Sequence, residues 1–270
     1  MDRLRFSVWL LAGLLLAAAP TSARADTPPI APQMDIASAV NTAGRQRMLS
    51  QRMVTAYLML GQGIEADNAR TVLRGSIDQF EAQLSTLKAF QPNPMVRNAI
   101  VNLDAAWTKC RALLALAPSK AGAAELYDTN EALQQAAHSV TLAYERLSGA
   151  PLDHLVNLAG RQRMLSQRMA KFYFYRTWGI YESPADMELH LSRAHFTAVL
   201  NQLESSPLAS AQIKAGVALL RREWDPYQQA LFASREPAQM RKDAPRVAEL
   251  SERVLAGAEE LVTLIVAQAR

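Results

Sequence analysis

One ten-residue string, GRQRMLSQRM, occurs twice, at Gly44–Met53 and at Gly160–Met169. With its flanks the match runs over Val40–Met53 and Val156–Met169 and agrees at thirteen of fourteen positions, at an offset of 116 residues. Over the next 37 pairs at that offset only ten agree. These are mostly packing types: Tyr57/Tyr173, Leu73/Leu189, Phe80/Phe196, Leu84/Leu200 and Leu87/Leu203. A fixed period of this length marks a tandem duplication. Whatever one half folds into, the other repeats, and the halves have diverged nearly everywhere except in this string.

A packing seam would keep Met48, Leu49 and Met53, but cores tolerate volume-conserving exchanges. A seam gives no reason to keep three arginines, two glutamines and a serine. Charged side chains on ordinary helix faces interchange at little cost, so the retained polar set points to binding.

The rest of the chain supplies context. Arg3 and Arg5 give a basic start, Phe6–Ala19 is an uncharged apolar run, and Ala23-Arg24-Ala25 is a small-x-small cleavage site. Residues 1–25 therefore read as an export signal cut near Ala25. The run is shorter than the ~20 residues of a membrane span, and no later apolar stretch is longer. The expectation is an exported, periplasmic protein that does not span the membrane after cleavage. Removing the signal lowers the net charge from +4 to +2, which makes nucleic acid a poor candidate partner. Cys110 is the sole cysteine, so no internal disulfide can form. Its apolar helical surroundings, WTKCRALLAL, predict a buried, inert thiol.

Three prolines in residues 26–34 mark a flexible leader, and helical periodicity dominates after it. The breaks predict helices at about 36–65, 69–90, 94–117 and 121–147, then 152–182, 184–205, 208–233 and 238–268. The fold class is all-α: two tandem antiparallel four-helix bundles related by internal duplication, with the first helices as candidates to pair. The organisation is residues 1–25 signal, 26–35 leader, 36–149 first bundle and 150–270 second bundle. Trp107 and Trp224 read as equivalent core residues.

The string falls in the first helix of each half. At 100° per residue, Gly44, Arg47, Met48 and Gln51 share one face, and Asn41, Arg45 and Arg52 cluster on another. Arg47 is then a guanidinium among Gly, Met, Val and Gln, where an unpaired charge is very costly. The string holds no acid to pair with it. If the first helices pack together, Arg47 and Arg163 converge. Their planar donor forks suit a planar oxyanion, with Gly44 and Gly160 permitting close approach. The alternative is that both arginines reach carboxylates elsewhere in the fold. Supporting candidates are Arg45, Gln51, Arg52, Arg161, Gln167 and Arg168.

AGRQRMLSQRM at the start of a helix resembles the signature of the PilJ-type extracellular sensor domain, related to the periplasmic domain of NarX/NarQ-type nitrate-sensing kinases. The resemblance covers both halves, about 36–148 and 152–269. It implies a four-helix bundle. It also implies a symmetric pair of first helices that binds nitrate or nitrite through an arginine three positions after a glycine, here Gly44/Arg47 and Gly160/Arg163. Two departures stand out. Those sensors place one domain between two membrane spans and dimerise, whereas two domains share this chain. Arg45 and Gln46 also stand where the nitrate sensors carry less polar bulk.

The four histidines, His138, His154, His190 and His195, form no metal pattern, and Asp186/His190 reads as a solvated pair. No nucleophile–base constellation is legible. The reading is a non-enzymatic sensor or binding protein, without cofactor or metal, for a small oxyanion with nitrate or nitrite first. It would report to a membrane sensor kinase or chemoreceptor or a nitrate-handling partner; homo-oligomers are compatible with it. The alternative is a protein-interaction module of a type IV pilus or chemotaxis system with no small-molecule ligand.

Overall fold

The computed structural model describes residues 34–269; the expected export signal and most of the expected leader lie outside the described residues. Among these, eight helices and no strand occur: α1 Ile36–Gln62, α2 Ala66–Ala89, α3 Pro94–Leu114, α4 Lys120–Ser148, α5 Pro151–Trp178, α6 Glu182–Ser205, α7 Ala211–Leu231 and α8 Pro237–Ala269.

Local chemistry sets their ends. Asp35, Asn93, Ser119 and Ser210 cap α1, α3, α4 and α7, each side chain accepting a first-turn backbone N–H, which satisfies an otherwise orphaned donor. The helices of the repeat end earlier than periodicity predicts, at Gln62 and Trp178. There Gly63 and Gly179 take left-handed φ of 69° and 68°. The next residues, Ile64 and Ile180, bond back to the Met59 and Tyr175 carbonyls, the pattern of a glycine helix stop. Conversely, Pro184 does not delay α6, which starts at Glu182. Proline is tolerated in a first turn because its missing N–H would have had no partner.

α1 packs on α2 and α4, and α3 on α4; α5 packs on α6 and α8, and α7 on α8. Each half is thus a four-helix bundle, and each core carries the same stack. Phe80 lies 4.3 Å from Trp107 at 29°, and Phe196 lies 4.3 Å from Trp224 at 27°. The most extensive packing of all joins α1 to α5 within the one chain. Thr55 donates to the Gln167 carbonyl and Gln62 to the Phe174 carbonyl, a constant spacing that sets the two helices parallel. The duplicated string is therefore buried at the seam between the bundles, and the halves share one core. Cys110 is buried as expected, and burial pushes its thiol up to about 12. No helix among the described residues is long and apolar enough to cross a membrane.

Candidate functional site

Arg47 and Arg163 meet at this seam, both almost wholly buried, at 1% and 0% exposure. A Cβ on Gly44 would lie 3.2 Å from Nη2 of Arg47 and 3.5 Å from Nη2 of Arg163. On Gly160 the distances are 3.1 Å to Arg163 and 3.5 Å to Arg47. Each glycine leaves room for both guanidiniums, so the string's glycine and arginine are two parts of one arrangement. The arginines also reach across the seam: Nη2 of Arg47 donates to the Asn157 carbonyl and Nη2 of Arg163 to the Asn41 carbonyl, both at 3.4 Å. Neither Nε has an acceptor.

The expectation that no carboxylate would reach this pair is corrected for one member. Glu259 of α8 accepts from Nη1 of Arg163 at 2.9 Å and also holds Arg45 by two bonds. It lies far along the chain, so proximity in sequence could not reveal it. Burial raises the Glu259 carboxyl, but Arg163 and Arg45 outweigh this and hold it below the usual range. Arg47 has no such partner among the described residues. Its Nη1 faces Nδ1 of His138 at 3.2 Å. The guanidinium is lowered to about 9, by burial first and then by Arg163 and Arg161. His138 is held down to about 4 by burial, with Arg47 and Arg161 adding to it and Glu145 opposing. At neutral pH the imidazole is therefore uncharged and the arginine remains cationic.

The contacts repeat when α1 is exchanged with α5 and α4 with α8. Arg52 pairs with Glu252, and Arg168 with Glu131; Glu131 and Glu252 are 121 residues apart. His138 and Glu259 have the same separation and face equivalent arginines. The protein thus places a carboxylate on one side of the seam and a neutral histidine on the other.

Arg161, the equivalent of Arg45, is exposed and has no carboxylate partner among the described residues. Together with Arg47, His138, Arg168, His195 and Ser192 it lines an open cavity of about 340 Å³. Arg168 is neutralised by Glu131 and by Glu188, which also lines the cavity, whereas Arg47 and Arg161 form no ion pair with a carboxylate among the described residues, and Glu145 only partly offsets the lowering of Arg47. The other supporting candidates are occupied within the fold. Gln51 bonds Ser50, and Gln167 bonds the Ser251 carbonyl and Glu252. Gln46 and Gln162 bind the Phe80 and Phe196 carbonyls, so the string's glutamines tie the bundle together. Sequence reasoning missed His138 as a site residue and Glu259 altogether. Among the described residues no cluster of three His, Cys, Asp or Glu side chains could hold a metal, and Asp186, beside His190 at 3.9 Å, is paired with Arg176.

The arrangement defines a class: a duplicated helical module with paired motif helices and arginines buried at their contact. The family profile described as type IV pili methyl-accepting chemotaxis transducer N-term (PilJ) matches residues 32–130 and again 152–251, and the chain belongs to this family, in two tandem copies. Comparison with curated proteins and with solved structures found no match.

Proposed function

We propose that the protein is an exported, non-enzymatic sensor module that binds a small planar oxyanion, nitrate or nitrite first, and reports to a membrane chemoreceptor or kinase. The observation that carries this reading is the exchange of Glu259 for His138. On one side a carboxylate, itself a planar oxyanion, sits between Arg163 and Arg45. On the other, Arg47 and Arg161 face a cavity with a neutral imidazole between them. Glu259 is then an internal template for the ligand. Gly44 and Gly160 admit the guanidiniums, Arg163 backs Arg47 across the seam, and the anion enters from the Arg161 side. An anion there offsets the burial of the Arg47 charge and the repulsion from Arg163 and Arg161, and planar forks favour planar acceptors. Binding at the contact of the two bundles also gives a ligand leverage on how they pack, which is what a sensor requires.

The test is a melting scan with nitrate, nitrite, sulfate, phosphate and chloride at matched ionic strength. At a hundredfold excess over Kd a ligand stabilises by about 2.7 kcal/mol, a rise of about 5–10 °C for a chain of this size. A rise with nitrate or nitrite that chloride and sulfate do not reproduce supports the reading. No response to any anion defeats it and leaves the family's interaction role.

A further inference from the structure

A second cavity, of about 660 Å³, opens between α1, α2 and α8, away from His138 and Arg161. Its walls include Ala56, Met59, Glu65 and Ala248, and Arg52 and Gln167 also line it. The duplication identifies what stands at the equivalent place in the other half. The partners of Ala56, Met59 and Glu65 at the 116-residue offset are Phe172, Tyr175 and Tyr181, and the partner of Ala248 at the 121-residue offset is Tyr127. These four rings form one cluster. Tyr127 lies 5.1 Å from Tyr175, 4.8 Å from Tyr181 and 5.8 Å from Phe172. The cavity is therefore the space an aromatic cluster fills in the duplicate, left open by replacement with two alanines, a methionine and a glutamate.

Two more observations narrow the occupant. Arg168 lies over the Phe172 ring at 4.8 Å, and its equivalent Arg52 borders the cavity where no ring is present. Gln167, which also lines the cleft, is tied to the fold through Nε2, used by Ser251 and Glu252, and its Oε1 lacks a donor just as that of its equivalent Gln51 does beside the filled cluster. Glu65, Glu249 and Glu252 outnumber Arg52 and Arg253 around the rim, which disfavours anions.

We infer that this cleft is a binding site for a small uncharged aromatic molecule, of the phenol or indole class. Its ring occupies the place of Phe172 and Tyr127 beneath the Arg52 guanidinium, a cation–π arrangement. The site is independent of the anion reading.

The experiment titrates the full chain with indole and phenol, with benzoate as the anionic control and cyclohexanol as the aliphatic one. The reporter is the methyl signal of Met59, which lines the cleft, read by NMR. Indole or phenol shifts this signal through its ring current and saturates; benzoate binds at least tenfold more weakly and cyclohexanol gives no such shift. The filled variant Ala56→Phe/Ala248→Tyr, which installs the duplicate's own side chains, loses the aromatic response and keeps any nitrate response. The inference is overturned if neither aromatic probe moves Met59, if cyclohexanol competes equally, or if a folded filled variant binds indole as wild type does. Should that variant not fold, the Met59 titration of the wild type decides.

Discussion

On the α8 side of the seam, Arg163 and Arg45 share one carboxylate, Glu259. On the α4 side, Arg47 and Arg161 face His138 across an open cavity. The arginines come from identical strings and the helices from the same duplication, so the contrast isolates a single exchange. A fold that needs buried arginines neutralised can supply the carboxylate itself, as the second half does. On the α4 side the equivalent arginines are present and His138 stands where the other side has the acid. Such an arrangement costs stability unless something from outside supplies the charge, and that difference separates a structural arginine from a receptive one.

The comparison breaks most visibly at Glu259. Glu259→Gln removes the charge that balances a fully buried Arg163 and should destabilise by about 2–4 kcal/mol, since an unpartnered buried ion is the costly case. For a chain of this size that is a fall in Tm of about 5–15 °C. Nitrate should recover more of the loss in this variant than it adds to wild type, because a second receptive side has been opened. A fall under about 1 °C would mean the pair is not what holds Arg163.

The converse exchange, His138→Glu, brings the template carboxylate to the α4 side. It should stabilise the protein in the absence of anion by about 1–2 kcal/mol, in the range of hydrogen bonds to charged groups, and abolish the anion-induced rise in Tm. Retention of the full nitrate response would place the anion elsewhere.

Acid sharpens the comparison with a smaller effect. Folding lowers the His138 imidazole from its ordinary 6.5 to about 4. Between those values the unfolded chain binds the extra proton and the folded one does not, so stability falls as pH drops through this window and levels off below it. The decline between pH 6.5 and 5 should be reduced in His138→Gln. Bound anion favours the protonated imidazole, so the nitrate-induced rise should grow from pH 7 to pH 5. A flat anion response over that range would remove His138 from the site. Glu259, held low by its arginines, loses its contribution only as pH falls below the ordinary carboxylate range.

The all-helical class and the two bundles were legible because periodicity and proline breaks act locally, and the PilJ resemblance was carried by the string itself. The meeting of Arg47 with Arg163 followed from duplication plus the cost of burying charge. Glu259 was not legible for a definite reason. The offset between equivalent residues is 116 over α1 and α2, becomes 117 at Trp107/Trp224 and reaches 121 at Glu131/Glu252. One extra residue in the Pro207 loop and an additional turn at the start of α8, which has 33 residues against 29 in α4, shift the register. At the fixed offset Glu259 aligns with Ala143 and not with His138. The aromatic cleft was hidden for the same reason, since Tyr127 and Ala248 match only at the longer spacing. Pro226 and Pro245 raised no expectation, yet both lie inside helices. Buried neighbours such as Trp224, Tyr227 and Val247 offset a cost of about 3 kcal/mol per interior proline.

The smallest effect on folding discriminates best between a structural and a receptive arginine. Arg45 and Arg161 are equivalent positions of the repeat, but Arg45 is held by Glu259 while Arg161 is exposed and, among the described residues, without a carboxylate partner. Arg45→Ala should therefore cost about 0.5–1 kcal/mol, the scale of a partly exposed ion pair, and leave anion binding intact. Arg161→Ala should change stability by less than about 0.5 kcal/mol, as surface substitutions do. It also removes a like charge from beside Arg47, so the anion-free Tm has no reason to fall. Losing one charge-assisted bond to the anion, worth about 1.5–3 kcal/mol, should raise the nitrate Kd by more than tenfold. A variant that folds normally and binds poorly separates recognition from scaffold in one measurement. If Arg161→Ala instead leaves the nitrate titration unchanged while Arg45→Ala weakens it, the receptive side is the one Glu259 occupies, and the assignment of the two halves must be reversed.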